Sequence, residues 1–217
     1  MTEGPRNPPI LDPPIRLAVC VSGGGTTLQN LVDRIADGHL SAEVVRVIAS
    51  KPGIGAIARA ERAGLPVTVE SRGKHPLSEF GEAVFGPIRR SGADLVILGG
   101  FLALVPIPPD YAGRVINIHP SLIPAFSGKG FHGRAVHQAA IESGVKLSGC
   151  TVHFADDTYD TGPIIFQVPV PVLNNDTPEI LAARVFEAEC DALPEAIALY
   201  AAGKLRVVGR RVHILPV

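Results

Sequence analysis

Apolar and polar residues fall in blocks along this chain. Ile15 to Val21 is a near-continuous apolar run that stops at Ser22-Gly23-Gly24-Gly25. A short apolar run closed by glycines predicts a buried strand. Over Thr26 to Ala36 the period changes: Leu28, Leu31, Val32 and Ile35 share one face and predict a helix. Val44 to Ala49 predicts a second strand, closed by Lys51-Pro52-Gly53. A second helix is expected over Ala56 to Ala63, ending at Gly64 as a left-handed cap. Further strands are predicted at Pro66 to Val69, Leu95 to Leu98 and Val115 to Ile118, with a helix over Leu77 to Arg90.

Strands that are apolar on both faces and alternate with helices imply a mostly parallel sheet covered on both sides. The second half changes character. Thr151 to Phe154 and Pro163 to Val172 predict two strands around a Gly-bearing turn. A long helix starts near Asp176-Thr177, with Pro178 in its first turn, and ends before Gly203. Arg206 to Leu215 predicts a closing hairpin. The fold class is therefore α/β and Rossmann-like, a parallel N-terminal sheet half continuing into a mixed C-terminal half. With no internal repeat and no linker, one domain is expected over residues 15–217. Five prolines among the first sixteen residues predict a disordered leader over 1–14.

Composition narrows the partners. The 217 residues carry 20 basic and 21 acidic side chains, a net charge of -1. A nucleic-acid protein needs a basic excess or patch, so no nucleic-acid partner is expected. No stretch approaches the roughly 18 apolar residues of a membrane span, so no membrane partner is expected either. Three scattered cysteines, Cys20, Cys150 and Cys190, suit a reducing cytoplasm and free thiols.

Four features carry candidate chemistry. In Ser22-Gly23-Gly24-Gly25-Thr26-Thr27, glycines at a helix start allow close approach to an anion, and hydroxyls add donors. The dinucleotide fingerprint fails at Leu28 and no P-loop lysine follows, so a phosphomonoester is preferred over NAD or ATP. In Asn117-Ile118-His119-Pro120-Ser121, an amide and an imidazole two residues apart face one side of a strand end. Asn can hold a developing oxyanion and His can act as acid or base, as acyl transfer requires. The block His153 to Pro163 holds Asp156, Asp157 and Asp160, any of which could orient His119. Calcium-loop spacing is not met, and no metal is expected. Finally, Glu189 shares an i, i+4 stripe with Leu181 and Val185, placing a carboxylate on an apolar face.

The loop Ser22 to Gln29, the segment Gly100-Phe101-Leu102, the run Asn117 to Pro124 and the block Gly149 to Gln167 together resemble phosphoribosylglycinamide formyltransferases. The resemblance spans roughly residues 15 to 205. It implies transfer of a formyl group from 10-formyltetrahydrofolate, as co-substrate, to the amine of a phosphoribosylglycinamide, in purine biosynthesis. It makes Asn117, His119 and Asp160 the catalytic three, Asp160 because it precedes Thr161-Gly162-Pro163. Gly24, Gly25, Thr26, Thr27 and Glu189 would bind the phosphoribosylglycinamide. Leu102, Ala103, Leu104, Val105, Asn117, Asp156, Asp157 and Asp160 would line the folate pocket. Ala103 stands where many members carry Arg, and Cys190 and Leu193 replace a frequent His and Tyr. Small-molecule substrates are the expected partners, and a monomer or homodimer the expected assembly. The alternatives are a methionyl-tRNA formyltransferase or a formyltetrahydrofolate hydrolase, each usually with an extra domain for which this chain leaves no room, and a non-catalytic nucleotide or folate binder.

Overall fold

The computed structural model describes residues 11–73 and 75–216. Most of the expected leader, residues 1–10, lies outside them. Of the rest, Leu11 donates its amide to the Ala201 carbonyl at 3.1 Å. The chain divides into two compact units, one over Asp12–Asn117 and one from Ile118 onward that includes Leu11.

The first unit is built from β1 (Ile15–Val21), α1 (Thr26–Ala36), β2 (Ala42–Ala49), α2 (Gly55–Arg62), β3 (Val67–Val69), α3 (Leu77–Ser91) and β4 (Leu95–Leu98), followed by β5 (Val115–His119). The last two residues of β5 open the second unit. The strands run parallel in the order β3-β2-β1-β4-β5. Leu17, Val19, Val47 and Ile97 are fully buried along the sheet, and Phe80, Val84, Phe85 and Ile88 bury one face of α3. This is the burial on both faces that the apolar runs require.

Strand order reverses at β1, since β2 lies on one side of it and β4 on the other. The loops leaving β1 and β4 therefore rise side by side, the place where open parallel sheets bind ligands. Gly99 donates to the Cys20 carbonyl at 2.9 Å, and Ser22 donates to the Gly100 carbonyl at 3.2 Å. The Gly-rich loop and the segment after Gly100 are thus neighbours.

The second unit carries α4 (Arg134–Glu142), β6 (Leu147–Phe154), β7 (Ile164–Pro171), α5 (Pro178–Ala201), β8 (Leu205–Val208) and β9 (Arg211–Ile214). Its strands are ordered β6-β7-β9-β8, antiparallel except for a parallel β7–β9 pairing at Ile164 and Arg211. Thr177 caps α5 by accepting the Ile180 amide at 3.3 Å, and Pro178 occupies the first turn. Leu181, Val185, Leu193, Ile197 and Tyr200 of α5 are buried.

Two elements depart from expectation. β6 begins at Leu147 rather than Thr151, running through Gly149, where a Cβ would overlap the Val168 carbonyl of β7. The glycine reads as punctuation yet marks a close backbone approach. The helix α4 was not expected at all. Gly133 and Gly144 bound it, and its buried positions are Val136, His137 and Ala140. One large apolar residue does not make a legible stripe.

Candidate active site

In the first unit, Gly25 is the N-cap of α1 at φ 78°, a left-handed conformation that favours glycine. A Cβ there would lie 2.7 Å from Ala56 Cβ, so α2 packs directly against this residue. The α1 N-terminus has no side-chain cap and no acidic residue in its first turn. Its leading amides remain available for an anion. Thr26 is exposed and Thr27 half-buried beside them. Arg59 of α2 donates from Nε to the Gly24 carbonyl at 2.9 Å and from Nη1 to Gln29 at 3.2 Å, which brings a cation to the loop. Nothing in the spacing of the sequence pointed to it. The Leu102 amide donates to Ser22 Oγ at 2.9 Å; Leu102 is exposed, Ala103 and Leu104 are half-buried and Val105 is buried.

The second unit holds a buried polar cluster around His119. Asn117, half-buried, closes the first unit and stands two residues before His119 on β5. His119 is buried, and its Nε2–H donates to the Phe126 carbonyl at 2.9 Å. Its Nδ1 lies 3.5 Å from Asp160 Oδ2. Both nitrogens thus face acceptors, an arrangement that only the imidazolium satisfies fully. The run after β5 is pinned to β6 and β7: Thr151 Oγ1 donates to the Ser121 carbonyl and accepts the Ile123 amide, while Gln167 donates to both Thr151 Oγ1 and the Ile123 carbonyl.

Asp160 is held from three directions. Oδ2 accepts the Gly128 amide at 2.8 Å, Oδ1 lies 3.8 Å from His153 Nε2, and His119 faces Oδ2. Its backbone is left-handed, at φ 58°. His153 on β6 was read only as part of the acidic block. Its Nδ1–H donates to the Phe154 carbonyl at 2.8 Å, which turns Nε2 toward Asp160. Of the three candidate aspartates, Asp160 is the one beside His119; Asp156 and Asp157 are exposed.

The electrostatics oppose one another. Burial pushes His119 below its ordinary value, against the upward pull of the Asp160 charge and the Phe126 carbonyl; His153 adds a downward push. For Asp160, burial acts upward but is outweighed by the facing His153 imidazole, the His119 charge and the Gly128 amide, leaving it low. His137 of α4 is also buried and lowered, by burial and then by the His119 charge.

Glu189 sits on α5 in line with buried Leu181 and Val185. The residue is partly exposed, but its carboxylate is enclosed and burial raises it to about 7. It neighbours Cys150 of β6, whose thiol is pushed up to about 12 by burial and then by the Glu189 charge. A thiol so raised is inert at neutral pH, in keeping with a buried apolar role. All three cysteines are free. Among the described residues, no group of three His, Cys, Asp or Glu side chains could hold a metal ion, and no helix is long and apolar enough to cross a membrane.

Known proteins share this arrangement of chain. A family model described as formyl transferase matches residues 15–197. The chain is 40% identical over 178 residues to the chloroplastic phosphoribosylglycinamide formyltransferase of Arabidopsis thaliana, a match covering 80% of this chain and 61% of that protein. It is 38% identical over 196 residues to the trifunctional purine biosynthetic protein adenosine-3 of Gallus gallus, covering 89% of this chain and 19% of that one. The chain thus spans less than two thirds of these relatives' length. The crystal structure of glycinamide ribonucleotide transformylase 1 from Symbiobacterium toebii is 40% identical, covers 93% of this chain and 94% of its own, and superposes with a TM-score of 0.84. With the fold, the match over residues 15–197 and these identities in agreement, the chain belongs to the formyl transferase family and, within it, to the phosphoribosylglycinamide formyltransferases.

Proposed function

We propose that the chain transfers the formyl group of 10-formyltetrahydrofolate to the amine of N1-(5-phospho-D-ribosyl)glycinamide, in de novo purine biosynthesis. The observation that carries this reading is the buried His119 imidazole set between the Phe126 carbonyl and the Asp160 carboxylate. Such a group holds a proton ready for a developing oxyanion.

The amine lone pair attacks the formyl carbon, forming an N–C bond and moving the carbonyl π pair onto oxygen. Asn117 donates to that oxyanion through its amide, and His119 in its charged form donates from Nδ1, whose 3.5 Å approach to Asp160 is longer than a hydrogen bond, while Nε2–H stays on the Phe126 carbonyl. The oxyanion's own charge raises the imidazole's hold on its proton, offsetting the downward push of burial. A proton leaves the new ammonium with help from Asp160 and reaches the folate N10 as the C–N10 bond breaks and the carbonyl re-forms. Tetrahydrofolate and the N-formyl product remain, and no covalent enzyme intermediate is needed.

Gly24, Gly25, Thr26 and Thr27 hold the substrate phosphate, with the Arg59 charge beside them, and Glu189 meets the ribose or glycinamide end. Leu102 to Val105 and the loop Asp156 to Asp160 line the folate pocket, largely through main-chain groups. The reading takes residues 15–217 as one catalytic domain working in the cytoplasm on small molecules, as a monomer or homodimer.

Spectrophotometric release of tetrahydrofolate from 10-formyltetrahydrofolate, with and without the glycinamide ribonucleotide, tests the assignment. Release only with the ribonucleotide is expected. Release without it identifies a hydrolase, and no release at all identifies a binder; either contradicts the proposal.

A further inference from the structure

The loop that carries Asp160 is fastened at positions the catalytic scheme does not use. Asp156 Oδ1 accepts the Thr158 amide at 3.0 Å and the Thr161 hydroxyl at 2.7 Å, and Oδ2 lies 2.9 Å from the same hydroxyl. From the turn between β8 and β9, Arg210 Nη2 donates to the Thr161 carbonyl at 2.9 Å. The base of the loop is closed by the Phe154 amide on the Pro163 carbonyl, and Gly162 packs so tightly that a Cβ would overlap the Phe154 carbonyl. Thr161 is therefore tied by side chain and by main chain, one residue after Asp160. Asp160 itself has φ 58°, a conformation a non-glycine residue keeps only where its surroundings hold it.

We infer that Asp156, Thr161 and Arg210 form a latch that holds the Asp160 backbone left-handed, so that its carboxylate stays between His119 and His153. The three are positioning residues for the transfer proposed above, on which this inference rests for its catalytic consequence. Asp156 then serves the loop with its side chain, which leaves its proposed folate contact to the main chain. Arg210 gives the closing hairpin a task that its place at the end of the chain does not suggest.

Besides the Phe126 carbonyl on Nε2, the titratable groups facing His119 are Asp160 from the loop, His153 from β6 and His137 from α4. Asp160 is the only one of these that favours the imidazolium, so a slack latch lowers the titration midpoint of His119. This midpoint is read by NMR of the imidazole resonances in the free, full-length protein, without substrate. It is therefore independent of which acceptor the enzyme uses, and a failed transfer assay is distinguishable from a failed latch.

Thr161→Val keeps the shape and removes the hydroxyl donor; Thr161→Ser restores it. In Thr161→Val the His119 midpoint is expected to fall by about half a unit or more, with turnover falling roughly ten-fold. Thr161→Ser returns both to the wild-type values. An unmoved midpoint in Thr161→Val overturns the inference, as does a fall that Thr161→Ser fails to reverse. A raised KM for folate with the midpoint unmoved marks a mere pocket wall and overturns it equally. Should Thr161→Val not fold, as read by circular dichroism, Arg210→Gln at its exposed site decides by the same midpoint, with a fall expected and no change contradicting.

Discussion

His119 Nδ1 lies 3.5 Å from Asp160 Oδ2, longer than a hydrogen bond yet inside the range where a full opposite charge shifts a titration. The pair comes from distant parts of the chain, one at the end of β5 and one in the loop between β6 and β7. In Asp160→Asn the shape stays and the charge goes. The imidazole then keeps the Phe126 carbonyl as its one upward influence against burial and His153, so its midpoint falls further below the ordinary value. Turnover at pH 7 is expected to drop about 10²-fold, measured under saturating substrates.

Gly25 tests the phosphate loop. At φ 78°, with Ala56 Cβ 2.7 Å from any added methyl, Gly25→Ala forces α1 and α2 apart. Thermal unfolding should show a loss of about 1–3 kcal/mol. The KM for the ribonucleotide should rise more than that for folate. Gly23→Ala meets nothing within 4 Å and should leave the Tm unchanged.

Glu189 makes a stability prediction with a definite sign. Its folded value, about 7, lies above the ordinary 4.5. Between those values the folded protein keeps a proton that the unfolded chain has lost, so stability falls as pH rises from about 4.5 to 7, and the deficit is complete above 7. Glu189→Gln escapes this. Its stability relative to wild type, read from the Tm, should climb between pH 5 and pH 8, reaching a gain of about 2 kcal/mol at the upper end. A constant difference across that range would show the carboxylate to be ionised throughout.

How far the molecule was legible in its sequence follows from which forces are local. β1 and α1 match their expected limits because an uninterrupted apolar run, a glycine stop and a 3.6 period all lie within one stretch. The Asn117 and His119 pair needs only the alternation of a single strand. The choice of Asp160 among three aspartates was different. It depends on where the loop returns, through the Gly128 amide and the tie of Thr161 to Asp156, and composition carries no trace of that. The Phe126 carbonyl that meets His119 is main chain, so no side-chain pattern could announce it. Arg59 and His153 act through packing of separate elements, and α4 hides behind a weak stripe between glycines.

The most direct measurement is single-turnover formyl transfer by His119→Ala beside the wild-type protein, with folding checked by circular dichroism. The loss of the donor at 119 is expected to slow the chemical step about 10²-fold or more. A rate within a few-fold of wild type would contradict the account, because the imidazole between Phe126 and Asp160 would then be dispensable to the transfer.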